Sequence, residues 1–176
     1  LSTLRRIEKE FPKSPYVAEA IYEIGNTLFI DGKSSEGTVE MQKIIERYPN
    51  SAYHKKALLK IGLDLFNREK DQEALGYFKQ VLEKYPGSPE SADALKYVKV
   101  IYVDAGKADE LVDFLRSVNG VDFNESALDS TYYTSAENLV LKNDCQRAVS
   151  DFEKYLSRFP KGAFVINAQY YKAECS

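Results

Sequence analysis

The chain has 176 residues, with 24 lysines and arginines against 27 aspartates and glutamates, and a formal charge of −3. The two signs are interspersed, which excludes the clustered basic excess of a nucleic-acid-binding stripe. No apolar run approaches the roughly 18 residues that a membrane-spanning helix needs, and no signal-peptide pattern is present.

In chain order, residues 1–11 read as a helix with Leu4 and Ile7 on one face. Phe11-Pro12-Lys13-Ser14 follows and returns as Tyr48-Pro49-Asn50-Ser51 and Tyr85-Pro86-Gly87-Ser88, so the prolines stand 37 residues apart. Phe159-Pro160 matches two periods later, and the skipped register falls on Phe123, where the proline is missing. Each phrase is followed by an alanine, at Ala20, Ala57, Ala94 and Ala168. Self-similarity at a period of about 20–50 residues marks an array of small supersecondary units.

Each unit holds two helical periodicities separated by a short polar break. Ala20, Ile21, Ile24 and Leu28 form one apolar face, and Met41, Ile44, Ile45 and Tyr48 another. The next unit repeats them with Ala57, Leu58, Ile61 and Leu65, then Ala74, Phe78, Val81 and Leu82. Ser14-Pro15 and Ser88-Pro89 supply an N-cap acceptor and a pre-set first helical residue, and Asp71 and Asp144 are expected N-caps of second helices. Small residues recur thirteen positions after the proline register, at Gly25, Gly62, Ala136 and Ala173, and again at Gly37, Ala74 and Ala148. Glycine inside a helix costs about 0.5–1 kcal/mol relative to alanine, so its recurrence predicts a seam where two backbones approach closely.

The pattern predicts hairpins near 13–49, 50–86, 87–123 and 124–160. Residues 1–11 read as the second helix of a preceding repeat and 161–176 as the first helix of a fifth. The expected fold class is all-α, an α-α superhelix (solenoid) of stacked hairpins. It comprises eight helices, a partial helix at each end, no strand, and one array over 1–176. The chain reads as a piece of a longer repeat protein or one trimmed to its ordered part. The third hairpin is expected to be the least regular. It carries Lys99 and Leu111 at seam positions, Phe123 without its proline, and turn residues at Ser117-Val118-Asn119-Gly120. Its second helix should end near Val118, and the hairpin should be wider.

These residues resemble the tetratricopeptide repeats. The family's small–aromatic–small–proline pattern is matched by Gly62, Leu65, Ala74, Phe78 and Pro86. Gly25, Leu28, Gly37, Met41 and Pro49 match it in the preceding unit, and Ala136, Leu139, Ala148, Phe152 and Pro160 in the last complete one. Ile21, Leu58, Leu95 and Tyr132 stand where the family's tryptophan usually does. Family repeats are about 34 residues long, and these carry three extra residues after the proline. That longer form is similar to a bacterial envelope subclass, which includes the lipoprotein of the outer-membrane β-barrel assembly machine and the periplasmic coordinator of the Tol-Pal system. The resemblance implies a non-enzymatic protein–protein interaction scaffold in the periplasm or cell envelope. A protein or peptide partner is expected, with no cofactor, no nucleic acid and no direct membrane insertion.

Little in the sequence suggests chemistry. Gly32-Lys33-Ser34 has the tail of a phosphate-binding loop, but Thr27 stands where the motif needs glycine, and a helix precedes it rather than a strand. A hairpin turn is expected there, as at Gly106-Lys107. The one histidine, His54, lacks the partners of a triad or zinc site and is expected to be a solvated surface residue. Glu8/Glu10 and Asp109/Glu110 read as solvated helix faces. Cys145 and Cys175 fit no metal or redox spacing and should lie at the same end of the stack. A bridge needs Cα atoms within about 7 Å and packed helix axes are about 8–10 Å apart, so two reduced thiols are expected.

In stacked hairpins the first helices line the concave side. The period places Tyr22, Asn26, Phe29, Leu59, Leu63 and Phe66 there, and Tyr97, Tyr133 and Tyr170 extend the set toward the C-terminus. Tyrosine joins a large apolar area to a polar tip and suits binding surfaces. Asn26 matches one asparagine of the carboxylate clamp of chaperone-binding relatives, but Tyr22 and Leu59 stand where further polar residues belong, so apolar and tyrosine contacts are expected instead. The alternative function is an architectural spacer or homo-oligomer built on the Leu59–Phe66 face.

Overall fold

The structure, a computed structural model, describes residues 2–12, 14–119 and 124–175. Ten helices and no strand are found among the described residues: α1 (Ser2–Glu10), α2 (Val17–Ile30), α3 (Ser34–Arg47), α4 (Ala52–Asn67), α5 (Asp71–Lys84), α6 (Pro89–Asp104), α7 (Ala108–Ser117), α8 (Glu125–Leu141), α9 (Cys145–Arg158) and α10 (Val165–Glu174). The fold is all-α. The chain forms two compact units, Leu1–Leu95 and Lys96–Ser176, with the division inside α6. In the first, α2 packs on α1, α3 and α4, and α4 packs on α3 and α5. In the second, α8 packs on α7, α9 and α10, and α9 on α10.

The hairpin turns are one motif used four times. After α2, the Gly32 N–H donates to the Phe29 carbonyl and the Lys33 N–H to the Leu28 carbonyl at 2.8 Å. The same pair of bonds follows α4 at Glu69 and Lys70, α6 at Gly106 and Lys107, and α8 at Asn143 and Asp144. This is the Schellman closure, which satisfies the last carbonyls of a helix and requires a left-handed residue at its second position. That residue recurs at the period: Gly32 (φ 74°), Glu69 (φ 59°), Gly106 (φ 68°) and Asn143 (φ 58°). Gly32-Lys33-Ser34 is therefore a turn, as expected, and the Ser34 hydroxyl donates to Asp64 at 2.6 Å.

Close backbone approach explains the small residues. A Cβ on Gly62 would lie 2.6 Å from the Phe78 ring, and one on Gly25 would lie 2.9 Å from the Met41 methyl and 3.3 Å from the Gly37 carbonyl. Against this seam the first unit buries Ile21, Ile24, Met41, Ile44, Leu58, Ile61, Phe78 and Val81. The second unit has its own core of Leu128, Tyr132, Tyr133, Leu139, Phe152, Tyr155 and Phe159.

The third hairpin departs as expected in the length of its second helix. α7 has 10 residues where α3, α5 and α9 have 14, and it ends with Val118 at its C-cap. Lys99 is exposed where Gly25, Gly62 and Ala136 are buried. Phe123 and Gly120 lie outside the described residues.

Two capping expectations are corrected. Asp71 is the first residue of α5, with Lys70 at the N-cap. Ser14-Pro15 precedes α2 by a turn, where Ser14 Oγ accepts from the Tyr16 N–H at 3.3 Å and the helix begins at Val17. Ser88 and Asp144 do cap, accepting from the backbone N–H of Ser91 and Arg147.

Candidate partner-binding surface

The first helices α2 and α4 bring Tyr22, Leu59 and Leu63 into one cleft of about 280 Å³, closed on the far side by Pro89, Glu90 and Asp93 of α6. Its α4 wall also carries Lys56 and Lys60, so the cleft has an apolar floor, a basic wall and an acidic wall. The Tyr22 ring lies 5.3 Å from Tyr53, and burial, then the charges of Glu23 and Glu90, raise its hydroxyl pKa above the usual value. Desolvation pushes Glu90 toward neutrality, but its ion pair with Lys55 at 3.0 Å outweighs this, and its carboxyl titrates below the usual value. Glu90 is therefore ionised near neutral pH.

The remaining expected residues divide. Asn26 and Phe66 are half-buried on the same two helices. Phe29 packs into the hairpin seam, because a Cβ on Gly37 would meet its ring at 3.0 Å, and Lys60 Nζ stands 6.0 Å from its centroid. Tyr97, Tyr133 and Tyr170 belong to the second unit. Tyr97 is half-buried, and Tyr170 is 62% exposed with its ring edge-on to Tyr171.

Tyr133 is a correction. It is only 4% exposed, stacked 4.5 Å from Phe164, tilted against Phe152 and edge-on to Tyr155, and its hydroxyl donates to Glu137 at 2.7 Å. The period places it level with Tyr22, but the turn before α10 folds Phe164 over it. Tyr133 is core, not surface.

His54 is a second correction. It is 4% exposed and shares a hydrogen bond of 2.6 Å with the Tyr85 hydroxyl. Its place three residues before Ala57 puts it on the packed face of α4, where Tyr85 ends the partner helix. Burial first, then the Lys84 charge, lowers its pKa below the ordinary 6.5.

The cysteines are a third. Cys145 and Cys175 form a disulfide with Cα atoms 5.1 Å apart. The expectation of free thiols took the separation of helix axes as that of Cα atoms. Each Cα stands about 2.3 Å off its axis, so residues on facing sides come within about 5 Å. Cys145 opens α9 and Cys175 caps α10, which places them at one end of the pair as expected.

Three features escaped the sequence reading. Buried Asp129 accepts from the Tyr155 hydroxyl at 2.5 Å and the Ala163 N–H at 2.7 Å, pinning the turn into α10. Glu40, also buried, takes Arg5 at 3.1 Å and Lys43 at 2.8 Å and so ties α1 to α3. A polar cleft of about 320 Å³ lies among α7, α8 and α9, where Tyr132 donates to Asp109 at 2.5 Å and Lys154 pairs with Asp151. The partners that meet across helices here, Asp129 with Tyr155 and Ala163, Glu40 with Arg5 and Tyr132 with Asp109, lie 23 to 35 residues apart and carry no local signal.

Among the described residues no cluster of His, Cys, Asp and Glu could hold a metal ion. Among the described residues no helix is long and apolar enough to cross a membrane. What the fold and this surface define is an array of helical hairpins with a cleft on its first helices. A tetratricopeptide-repeat family model matches residues 56–88, from the second turn of α4 to the serine that caps α6. The match supports the tetratricopeptide-repeat reading and, with it, the general role of such repeats as protein-interaction scaffolds. No curated protein is significantly similar to the chain.

Proposed function

We propose that the chain is a non-enzymatic scaffold that holds an extended or helical peptide segment of a partner protein in the α2–α4–α6 cleft. The carrying observation is the convergence of Tyr22, Leu59 and Leu63 on one concavity walled by Lys56 and Lys60 on one side and Glu90 and Asp93 on the other. Apolar area supplies binding free energy, while the opposed charges fix the direction and register of the segment. A peptide with an apolar anchor flanked by an acidic residue over α4 and a basic residue over α6 fits these walls.

We place this activity in a bacterial cell envelope, within one continuous repeat array over 1–176. The long repeat with its aromatic-Pro-x-Ser phrase supports the placement, as does the Cys145–Cys175 bridge, since disulfides persist in oxidising compartments.

The test is a peptide selected from a random display library on the folded protein, measured against Leu59→Asp/Leu63→Asp. Both leucines are only half-buried, so the variant keeps its helix signal and loses at least about tenfold in affinity, near 1.4 kcal/mol. Unchanged affinity in a folded variant places the site elsewhere. A collapsed melt assigns the leucines to the core.

A further inference from the structure

The cleft among α7, α8 and α9 departs from the pattern of its own repeat. Its floor is α8, which presents Tyr132 and Ser135 there. Tyr132 stands in the register of Ile21, Leu58 and Leu95, and Ser135 in that of Ile24, Ile61 and Val98. Ile24, Ile61 and Val98 are all buried, and so is Ser135, at 1% exposure. The first unit supplies the comparison: its matching groove, of about 310 Å³ among α3, α4 and α5, is floored by Ile61 and Leu65. The Ser135 hydroxyl has no hydrogen-bond partner among the described residues. Ser130 and Thr131 on the same helix return theirs to the Ala127 carbonyl, at 3.3 and 2.6 Å. A buried hydroxyl without a partner is costly and uncommon, and packing does not account for one where the repeat otherwise places an aliphatic side chain.

We infer that this cleft binds a small neutral polyol, a mono- or disaccharide, with Ser135 at its base. Its volume of about 320 Å³ stands at the small end of ligand pockets, which run from about 300 to 1,000 Å³. The walls carry three cations, Lys107, Arg147 and Lys154, and three carboxylates, Asp109, Glu110 and Asp151. These charges cancel and are already engaged. Lys107 pairs with Glu110 at 3.0 Å, Lys154 with Asp151 at 2.9 Å and Arg147 with Asp144 at 3.3 Å, while Asp109 accepts from the Tyr132 hydroxyl. An ionic ligand would have to break one of these pairs and leave a wall charge uncompensated. A neutral hydroxyl needs no such exchange, because it accepts from a spare ammonium or guanidinium N–H and donates to a spare carboxylate lone pair. Neighbouring hydroxyls on one small ring, each both donor and acceptor, match walls on which donors and acceptors are mixed. The Arg147 and Lys154 side chains are about half exposed, so an entering ligand turns them aside and brings a hydroxyl onto Ser135. The peptide cleft of α2, α4 and α6 shares no residue with this one, and either reading can fail alone.

Amide-shift titration of the 176-residue chain tests this, with glucose, maltose and N-acetylglucosamine as neutral probes and glucuronate and glucosamine as charged ones. At least one neutral sugar should give a saturable shift centred on residues 106–154 and should bind more tightly than either charged probe. Ser135→Val restores the aliphatic side chain of the other units. It should keep the helix signal, melt no lower than the wild type, and lose at least about tenfold in affinity for that sugar. Tyr132→Phe, which keeps the ring and removes the other floor hydroxyl, should weaken the same sugar and gives the comparison independently of how the valine variant folds. Absence of a saturable shift with all three neutral sugars overturns the inference. So does a charged probe that binds as tightly, or unchanged affinity in either folded variant.

Discussion

Single side chains in this repeat are decided by what stands one helix away. Gly62 and Gly76 are both helical, yet a Cβ on Gly62 meets the Phe78 ring at 2.6 Å while one on Gly76 meets nothing within 4 Å. Gly62→Ala should destabilise by about 1–3 kcal/mol through overpacking, less the helix-propensity gain. Gly76→Ala receives that gain alone and should stabilise by about 0.5–1 kcal/mol. Urea midpoints of the two variants should move in opposite directions. His54 gives a pH dependence: its folded pKa lies below its unfolded 6.5, so folding favours the neutral ring. The associated stability is present above pH 6.5 and lost as pH falls through the folded value. Denaturation midpoints taken downward from about pH 7 should fall more steeply in the wild type than in His54→Phe. Equal slopes would show that the buried ring does not titrate with unfolding.

Helices and their turns are where the 37-residue period acts. The left-handed turn position is glycine after α2 and α6, asparagine after α8, and Glu69 after α4. A left-handed residue with a Cβ costs about 1–2 kcal/mol, and asparagine tolerates it better than glutamate. Glu69→Gly should therefore raise the urea midpoint, by up to about 1 kcal/mol, since glycine also loosens the unfolded chain. Asn143→Gly should do less. At the other end of the array, α10 buries only Ala168 among its own residues. Its attachment to α9 comes from the Cys145–Cys175 bridge, the Tyr171–Phe152 stack and the Lys172–Glu153 ion pair at 2.8 Å. Reduction should speed amide exchange in α10 well before α8 and α9 respond. Equal protection in both redox states would show that packing alone holds the helix.

Across the whole molecule, buried tyrosines separate the behaviour of the two units. Tyr132 and Tyr155, both in the second unit, are pushed up to about 12, first by desolvation and then by the carboxylates of Asp109 and Asp129 that accept their hydroxyls. A raised folded pKa means stability is intact below pH 10 and lost as pH climbs toward the folded values. Alkaline titration should release these tyrosinates together with helix signal from residues 96–176, while amides in 2–95 keep their protection longer. Tyrosinate absorbance growing with full helicity retained would contradict that coupling.

The sequence alone determined the period, the helix count, the turn positions, the glycine seam and the shortened α7. Each rests on local periodicity, small residues at fixed offsets, and turn residues with few conformations. It also placed Tyr22, Leu59 and Leu63 on one surface, because equivalent positions in a repeat share a side. Tertiary structure decided the rest. Phe164 covers Tyr133, Tyr85 takes His54, Glu40 draws in Arg5, and Cys145 reaches Cys175. These partners lie on different helices, and their meeting depends on how one helix is rotated against the next. A periodic pattern fixes which face of a helix is apolar, but not the few ångströms and degrees that decide whether two side chains touch.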